Sequence, residues 1–418
     1  MTSARGSSAG KQPLKSLDDA LVELLATVTP LTAVEQVSTF DADGRVLRQD
    51  VVSALQVPPQ DNSAMDGYAV RSGELAVDPH GIFHVSQRIP AGSVGAALQS
   101  GTVARIFTGA TVPPGADAVV PQEECEALTS PVNSVRINAQ PQSGQWIRRA
   151  GEDVRQGQVV LSNGERLTPA ELGLAASIGM ESLCVGVRPR VALFSTGDEL
   201  VMPGEVAPEN MRPGAIYNSN RFFLRALLQR LGCAVTDYGI VPDQRDATVK
   251  ALADAAAKHD LVLTSGGVSV GEEDHIKPAV QTLGTLDLWQ IAIKPGKPFA
   301  HGKIGLAHFV GLPGNPVSSF VTFLLLVRPL LLKLQGATRL APDSIAATAH
   351  FDWPKADKRR EFLRVKRNAQ GGLELFPNQS SGVLTSAVWG DGLVDNAPMH
   401  TIRYGDSVQF LPFSAFLA

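Results

Sequence analysis

The sequence predicts a multi-domain protein that combines a parallel α/β domain with β-rich domains. Its length of 418 residues suggests two to four domains, at roughly 100–200 residues per domain. Between residues 188 and 335, short apolar strands alternate with helical patterns, which is typical of a parallel sheet covered by helices on both faces. On either side of this region, Gly and Pro break the chain into short strands, as in β-rich modules.

The region before residue 188 contains two predicted helices and a β-rich module. Ser16–Leu25 has apolar residues at helical spacing, with Ser16 as a cap and acidic residues in the first turn. Pro169–Ile178 is the second helix, because Thr168 is a capping residue and proline suits the first helical position. Between them, residues 82–135 contain short strands separated by Gly and Pro.

The α/β region and the end of the chain supply the remaining predicted elements. The strands are Arg190–Phe194, Cys233–Val241, Leu261–Thr264, Leu288–Ile293 and Ala307–Gly311, and the helices are Asn220–Leu231, Asp246–His259, His275–Leu283 and Asn315–Leu334. A linker follows at Gly336–Asp343. The segments TAHFDW, EFLRVKR, GLELFP and DSVQFLPF then predict a small β domain.

Composition excludes several classes of protein. The net charge is −4 and the pI about 6.1, whereas a general nucleic-acid binder would be basic. Cys125, Cys184 and Cys233 lie far apart, which excludes a disulfide framework and a cysteine-ligated zinc site and fits a reducing compartment. Met1–Lys15 lacks the apolar core of a secretory signal, and the apolar run Phe320–Val327 is shorter than a membrane span. We therefore expect a cytoplasmic protein without nucleic-acid or membrane partners.

Chemistry-bearing residues follow the predicted strands of the α/β domain. In open α/β sheets, ligands bind beyond the carboxyl ends of the strands, which lie at one edge. The turn Ser265-Gly266-Gly267 can present backbone N–H groups to an anion, although a purely structural turn explains the same residues. Four acidic residues of this edge are oxygen donors of the kind that Mg²⁺ uses, although capping or solvated surface explains any single one: Asp198, Glu199, Asp243 and Asp274.

Two further turns lie at the same edge. Lys294 and Lys297 belong to KPGKP, where proline and glycine leave few conformations, and two fixed cations suit an anionic ligand held with a metal. A solvated turn is the alternative for this pair. In Pro313–Pro316, Asn315 can cap a helix and Pro316 suits its first position, so a structural turn and a ligand contact are equally compatible.

Two segments outside the α/β domain are rich in polar or charged residues. In DNSAMDGYAV, Asp61 and Asp66 could coordinate a ligand or cap a turn. Residues 358–367 contain six basic residues and one acidic residue, and alternation on a strand would turn one basic face outward. That face is either an anion-binding surface or an ordinary exposed strand. The chain lacks HExxH, GxSxG, P-loop and GxGxxG motifs. Their absence removes support for a histidine metal site, a serine hydrolase, a P-loop NTPase and a standard dinucleotide-binding enzyme.

The longest motifs resemble those of one enzyme family. In order along the chain they are DNSAMDGYAV, FTGATVPPGADAVVPQE, RxxGEDV, STGDEL, PGAIYNSN, VPDQRD, TSGGVSVG, KPGKPFAHG and GLPGNPVS. They are similar to the motifs of the molybdopterin molybdenumtransferases, the MoeA-type family that includes the gephyrin E-domain. The resemblance extends from about Leu17 to the end of the chain.

This resemblance implies a homodimer of four-domain subunits whose active-site cleft is shared between subunits. An elongated linker domain would comprise residues 13–55 and 145–187, with a β-rich domain inserted at 56–144. The α/β molybdopterin-binding domain would cover 188–335, and a β-barrel-like domain 336–418. The implied reaction inserts molybdate into adenylylated molybdopterin, requires Mg²⁺ and releases AMP. The implied donor of the substrate is a molybdopterin adenylyltransferase.

The resemblance also implies roles for individual residues. The implied catalytic residues are Asp61, Asp153, Glu199, Asp243, Asp274, Lys294 and Lys297, and the implied metal ligands are Glu199, Asp243 and Asp274. The implied cofactor-binding residues are Asp66, Thr108, Thr196, Gly197, Asp198, Ser265, Gly266, Gly267, Ser269, Pro313, Pro316, Arg359, Arg360 and Ser381. Two positions depart from the family pattern: Glu273 replaces a usual aromatic residue, and Ser380 replaces the first glycine of a QGSG-like turn.

Two other functions are open on the sequence alone. A molybdopterin adenylyltransferase would have a related α/β domain, but that activity is expected from a compact single domain. A non-catalytic scaffold would tolerate the loss of Glu199 and Asp243, yet the acids and the KPGKP lysines are all present. Both alternatives are therefore weaker than the molybdenum insertase.

Overall fold

The structure is a computed structural model that describes residues 14–241, 244–267 and 276–417. Its first elements are α1 (Leu17–Ala26), β1 (Val34–Ser38), β2 (Val51–Val52), β3 (Asn62–Ser63), β4 (Gly67–Val70), α2 (Ser72–Val77), β5 (Ile82–Ile89), β6 (Thr102–Ile106), β7 (Ala118–Pro121), β8 (Cys125–Leu128), β9 (Ser134–Ile137), β10 (Ile147–Arg148), β11 (Val159–Leu161), α3 (Pro169–Ser177) and β12 (Ser182–Gly186). The two helices predicted in this region are confirmed as α1 and α3. Local capping explains them, because Ser16 accepts the N–H of Asp19 and Glu171 accepts the N–H of Thr168.

The predicted β-rich module is a six-stranded sheet with the order β7-β4-β6-β5-β9-β8. The chain segments before and after it pair with each other instead. Strand β1 runs antiparallel to β12, with Ser38 opposite Ser182, and β2 runs antiparallel to β11. The chain therefore begins one structural unit, builds the inserted sheet and then returns to complete the first unit.

The α/β region contains the elements of a second large sheet and its helices. They are β13 (Arg190–Ser195), β14 (Leu200–Val201), β15 (Ile216–Tyr217), α4 (Asn220–Arg230), β16 (Ala234–Ile240), α5 (Arg245–Ala256), β17 (Leu261–Ser265), α6 (Ile276–Leu283), β18 (Gly284–Gln290), β19 (Ile293–Lys294), β20 (Pro298–Ile304), β21 (Ala307–Leu312), α7 (Pro316–Thr322) and α8 (Arg328–Gln335). Helix α4 is followed by Gly232 at φ +79°, a left-handed conformation that commonly follows the end of a helix.

This sheet has the order β16-β13-β17-β21-β20-β18. Strands β16, β13, β17 and β21 are parallel, as predicted. The sheet as a whole is mixed, because β20 runs antiparallel to both β21 and β18. The sequence prediction missed β20 and placed the start of β18 too late. Since β18 has the direction of the parallel strands, its carboxyl end still lies at the predicted ligand-binding edge.

A long apolar helical run forms the centre of this domain. It consists of α7, a π-helical segment (Phe323–Val327) and α8. The run Pro316–Gln335 is long and apolar enough to cross a membrane, but 89% of its apolar 18-residue stretch is buried inside the protein. Its side chains pack with Leu24 of α1 and with Phe416 near the end of the chain. It is therefore the core helix that joins three parts of the chain, rather than a lipid-facing one.

The last part of the chain forms a third six-stranded sheet. Its elements are β22 (Ile345–Thr348), β23 (Arg360–Arg367), β24 (Leu373–Leu375), α9 (Thr385–Trp389), β25 (Gly392–Asn396), β26 (Ser407–Pro412) and α10 (Phe413–Leu417). The strand order is β19-β23-β25-β26-β22, with β24 paired to β23. Strand β19 follows the α/β strand β18 in sequence but belongs to this last sheet. The small β domain is confirmed, although the sequence prediction missed β25.

Candidate active site at the carboxyl edge of the α/β sheet

The ends of three parallel strands lie side by side at the predicted edge. Ser195 of β13 is opposite Ser265 of β17, which in turn is opposite Leu312 of β21. The residues after these ends are therefore neighbours. The Thr196 N–H donates to the Ser265 carbonyl at 3.3 Å, and the Gly266 N–H donates to the Leu312 carbonyl at 3.0 Å. The three turns that follow the strands form one continuous edge.

The turn Ser265-Gly266-Gly267 requires its glycines. Gly266 has φ +91° and Gly267 has φ +69°, in the left-handed region that side chains other than glycine rarely adopt. A Cβ atom on Gly266 would lie 2.7 Å from the Thr196 carbonyl oxygen, and one on Gly267 would lie 2.8 Å from Cγ1 of Ile276. The absence of side chains lets this turn pack against Thr196.

Several buried polar atoms beneath this edge have no hydrogen-bond partner among the described residues. They are Oγ of Ser195, Oγ1 of Thr196, Oγ1 of Thr264 and Nδ2 of Asn218. An unpaired buried polar group costs about 1–3 kcal/mol, so native proteins pair almost all of them with protein, water or ligand. Two of them, on Ser195 and Thr196, lie at the carboxyl end of β13, where a bound polar ligand or water would pair them.

Asn220 holds two of the edge turns together. Its buried Nδ2 donates to Oγ of Ser265 at 2.9 Å and to the carbonyl of Gly314 at 2.7 Å. It is the first residue of α4, so the helix fixes its position. Asn220 was not assigned to the site from the sequence. Its signal was the motif PGAIYNSN, in which a polar triplet directly precedes an apolar helix.

The predicted acids of the edge are only partly described. Asp198 and Glu199 follow β13 and are exposed, and the Glu199 carboxylate lies over Gly197, with Oε2 2.5 Å from where a Cβ on Gly197 would be. Asp243, Ser269 and Asp274 lie outside the described residues, as does Glu273. Within the described ranges, no group of three or more His, Cys, Asp or Glu side chains could hold a metal ion. The predicted metal ligands remain predictions.

The two KPGKP lysines have different surroundings. Lys294 lies in β19, and its Nζ contacts Glu361 Oε1 at 2.9 Å and Asp357 Oδ2 at 3.5 Å. Lys294 is therefore not a free cation, because its ammonium group is already paired with carboxylates of the last domain, and its role toward an anion remains a prediction. Lys297 is exposed and has no ion pair within the described part of the chain.

In the turn after β21, Pro313 is buried and Pro316 is the first residue of α7, as predicted. Asn315 occupies the N-cap position, but its side chain makes no capping hydrogen bond. The side chain of Asn315 is exposed at the edge beside Gly314. This turn therefore has a structural role through its prolines and leaves a polar side chain free of a capping function.

The predicted acids of the first domains are paired within their own region. Asp66 accepts hydrogen bonds from the Thr108 N–H at 2.8 Å and the Thr108 hydroxyl at 2.7 Å, and these bonds lower the pKa of its carboxyl group. Asp61 accepts the N–H of Ala150 at 2.8 Å and pairs with Arg149 at 2.6 Å. The bond from Ala150 is the main reason why the pKa of Asp61 is lowered.

The structure thus brings Asp66 to Thr108 and Asp61 to the RxxGEDV segment, where Asp153 is exposed. Among the described residues, no hydrogen bond or ion pair joins these acids to the edge of the α/β sheet. A single chain therefore shows two separate groups of predicted site residues. One group lies at the sheet edge and the other on the first two chain segments.

The basic segment 358–367 does not form an exposed cationic face. Strand β23 pairs with β19 along one edge and with β25 along the other, and its five consecutive buried residues show that both of its faces are covered. Arg359 pairs with Asp357 at 2.8 Å, and Arg360 pairs with Asp395 at 2.5 Å and Asp18 at 3.0 Å. Neither Arg359 nor Arg360 is therefore a free cation, and their implied cofactor-binding role remains a prediction.

A third arginine of this strand, Arg364, was not singled out from the sequence. It is 1% exposed, and its side chain donates, among the described residues, to three uncharged groups, namely Oγ of Ser386, the Phe362 carbonyl and the Ser380 carbonyl, at 3.1–3.4 Å. Burial lowers the pKa of Arg364 to about 10. The neighbouring Ser381 contacts the first turn of α7, because its carbonyl accepts the N–H of Val317 at 2.9 Å. Arg364 is thus a buried cation next to the turn that contains Ser380 and Ser381.

Comparisons with known proteins agree with this architecture. Three family models match: the MoeA N-terminal region (domain I and II) at residues 15–179, a probable molybdopterin binding domain at 192–333, and the MoeA C-terminal region (domain IV) at 346–413. The chain is 39% identical to the molybdopterin molybdenumtransferase of Haemophilus influenzae, over 96% of this chain and 99% of the relative. It is also 39% identical to molybdopterin molybdenumtransferase 2 of Mycobacterium tuberculosis, over 84% and 87%.

Solved structures give the same result. The molybdopterin biosynthesis MoeA protein of Pyrococcus horikoshii OT3 superposes with a TM-score of 0.81 at 27% identity, covering 96% of this chain and all of that chain. The match extends across the inserted sheet, the α/β sheet and the last sheet, rather than over one domain. The chain therefore belongs to the molybdopterin molybdenumtransferase family, the MoeA-type transferases of molybdenum cofactor biosynthesis.

Proposed function

We propose that this transferase inserts molybdate into adenylylated molybdopterin, with release of AMP, in a reaction that depends on Mg²⁺. The observation that carries the proposal is the glycine turn at Ser265, held by Asn220 and packed against Thr196, whose buried hydroxyl has no partner among the described residues. A pterin phosphate needs N–H and O–H donors in a setting without competing side chains. The names of the relatives supply the substrate class, since they are molybdopterin molybdenumtransferases.

The charge of the substrates determines what else the site must contain. A phosphoanhydride and molybdate are both anionic, so cations must lie close to the place where they meet. Lys297 is an exposed cation at the sheet edge, and Arg364 is a buried cation beside the turn of Ser381. We assign the molybdate-binding role to Arg364 and Ser381, because Arg359 and Arg360 are already paired with carboxylates.

Mg²⁺ fits the acidic residues at the same edge. Proteins often hold this ion through one or two carboxylates, while substrate phosphates supply the remaining oxygen ligands. Glu199 offers an exposed carboxylate beside the strand ends, and Asp243 and Asp274 would join it from outside the described residues. When bound, the ion would neutralise phosphate charge, while the residues of this chain orient the substrate and exclude water.

The second group of site residues supports a homodimer. Asp66 with Thr108, and Asp61 with Arg149, form ordered polar pairs that make no described contact with the sheet edge of their own chain. In the proposed dimer, the first two chain segments of one subunit complete the cleft of the other. A cytoplasmic location, which the three free cysteines favour, and substrate delivery by a molybdopterin adenylyltransferase complete the proposal.

The test is AMP release from purified adenylylated molybdopterin with Mg²⁺, with and without molybdate. We expect release stimulated by molybdate and a product that activates an apo-molybdoenzyme. Glu199→Ala should lower the rate at least about 100-fold, as expected when a group that stabilises charge is lost. Glu205→Ala is the matched control, because Glu205 is also exposed and lies six positions further along the chain.

Three results would contradict the proposal in different ways. Tight substrate binding by the wild type without AMP release would indicate a carrier or scaffold. ATP-dependent transfer of AMP to free molybdopterin, with no effect of molybdate, would indicate an adenylyltransferase. Equal rates for Glu199→Ala and Glu205→Ala would remove Glu199 from the site while leaving the overall reaction intact.

A further inference from the structure

The chain passes from the α/β sheet to the last sheet between β18 and β19, the strand formed by Ile293 and Lys294. Strand β19 follows β18 but pairs in parallel with β23, with Ile293 beside Arg360 and Lys294 beside Glu361. The Arg360 N–H also donates to the Ala292 carbonyl at 2.8 Å. Side chains at matched positions of neighbouring strands point to the same face of the sheet. The register therefore places the side chains of Lys294 and Glu361 next to each other.

Glu361 is a buried carboxylate with a complete set of donors. It is 1% exposed, and its oxygens accept from Lys294 Nζ at 2.9 Å and from Trp353 Nε1 at 2.7 Å, with Asn396 Nδ2 at 3.5 Å. A buried charge is costly unless it is paired and hydrogen-bonded. Within the described part of the chain, Lys294 is its salt-bridge partner. The two neutral donors fix the carboxylate and thereby the place where the lysine can pair.

Lys294 is only partly enclosed by this arrangement. Its side chain is 39% exposed, and Asp357 Oδ2 lies 3.5 Å from its Nζ on a second side. An ammonium group has three donors. With one directed to Glu361 and one toward Asp357, the third is left for a ligand on the open side. Asp357 is itself held by Arg359, so the carboxylates of Asp357 and Glu361 are both fixed in place and cannot move with the lysine side chain.

We propose that Glu361 is a positioning residue that fixes the Lys294 ammonium group so that one of its donors faces the anionic substrate. The same ion pair fastens the last domain to the end of the α/β sheet. The inference rests on the proposed function for its kinetic consequence, but the position of the ammonium group is a property of the free protein. Glu361 acts through Lys294 and contacts no substrate.

The first test measures the accessibility of Lys294 without any substrate. Wild type, Glu361→Gln and the matched control Asp395→Asn are trace-labelled with acetic anhydride, and mass spectrometry gives the labelling of Lys294 relative to exposed Lys297. Asp395 is a suitable control because it is a carboxylate of the same sheet paired with a different cation, Arg360. Glu361→Gln should raise the ratio about fivefold, the size expected from losing one partly exposed ion pair. The control should leave the ratio unchanged.

An unchanged ratio in Glu361→Gln would overturn the proposal. If this variant does not fold, Trp353→Phe takes its place, because it removes the N–H that fixes the carboxylate while keeping the ion pair. The same rise in the Lys294 ratio, of smaller size, is then expected, and its absence again overturns the proposal.

The second test uses the reaction itself. Glu361→Gln should raise the molybdate concentration needed for half-maximal AMP release more than it lowers kcat, and it should have no further effect in a Lys294→Met background. An equal effect in both backgrounds would show that Glu361 acts through stability rather than through Lys294. If the wild type releases no AMP at all, the proposed function fails, whereas the labelling ratio still decides whether Glu361 positions Lys294.

Discussion

Asn220 links two turns of the site with one amide group, and its removal should have a measurable cost. Asn220→Ala deletes the hydrogen bonds to Ser265 and to the Gly314 carbonyl. Each such bond contributes about 1 kcal/mol, and each buried partner left unpaired costs about 1–3 kcal/mol. Asn220 is 8% exposed, so little water can replace the amide. We expect a loss of roughly 2–4 kcal/mol in the free energy of unfolding.

The measurement is urea unfolding followed by circular dichroism, in which the midpoint should fall while the slope stays the same. Asn210→Ala is the control, because Asn210 is exposed and its substitution should change stability by less than about 0.5 kcal/mol. Asn220→Asp is a nearly isosteric second variant. It should be at least as damaging as alanine, because a carboxylate would then face the Gly314 carbonyl oxygen, 2.7 Å from the present amide nitrogen.

A midpoint for Asn220→Ala equal to that of the Asn210→Ala control would refute the reasoning. A stability loss for alanine together with wild-type stability for Asn220→Asp would also refute it, because the effect would then depend on packing rather than on the amide donor. The two variants therefore separate a hydrogen-bond role from a space-filling role.

Two further predictions concern backbone shape and pH. Gly266→Ala should destabilise the protein by at least about 1–2 kcal/mol, since its φ is +91° and the added Cβ would lie 2.7 Å from the Thr196 carbonyl oxygen; thermal unfolding beside the control Gly73→Ala, where a Cβ meets nothing within 4 Å, checks this. Burial lowers the pKa of His301 and of His308 to about 4, from about 6.5 when unfolded. Between pH 4 and pH 6.5 the unfolded chain thus binds more protons than the folded chain. The stabilisation that the neutral histidines contribute is fully present above pH 6.5 and is lost as the pH falls toward 4, by up to about 3 kcal/mol per histidine. Urea midpoints at several pH values should show this fall, and His308→Gln should reduce it; an identical pH profile in the variant would contradict the assignment.

Local signals predicted the elements whose boundaries depend on local chemistry. Helices α1 and α3 begin where Ser16 and Thr168 predicted them, because a cap requires only residues within one turn. The parallel strands β13, β17 and β21 were recognisable as short apolar runs buried on both faces. The resemblance predicted the site segments, and the structure places those at Thr196, Ser265 and Pro313 side by side at one edge of the sheet.

The missed features depend on partners that are distant in sequence. Strand β20 starts at Pro298 and includes Gly302, both poor strand signals, and its partners β18 and β21 supply the pairing. The ion pair between Lys294 and Glu361 was missed because no local pattern shows that β19 pairs with β23. Alternation suggested an exposed basic face for residues 358–367, but that argument assumes one solvated face and fails for a strand that is buried on both faces.

The pairing of β1 with β12 determines an order of assembly. Strand β1 is made early in synthesis, yet its partner, Ser182–Gly186, is made only after the whole inserted sheet. Because the cost of closing a loop grows only logarithmically, by about 0.6 kcal/mol for each doubling of its length, the insertion is tolerable thermodynamically. Its consequence is kinetic, since distant contacts slow folding and domains emerge from the ribosome in sequence. The inserted sheet can fold before β12 has been made and while β1 is still unpaired. Once folded, the inserted sheet shortens the flexible chain between β1 and β12 and so brings these two strands closer together.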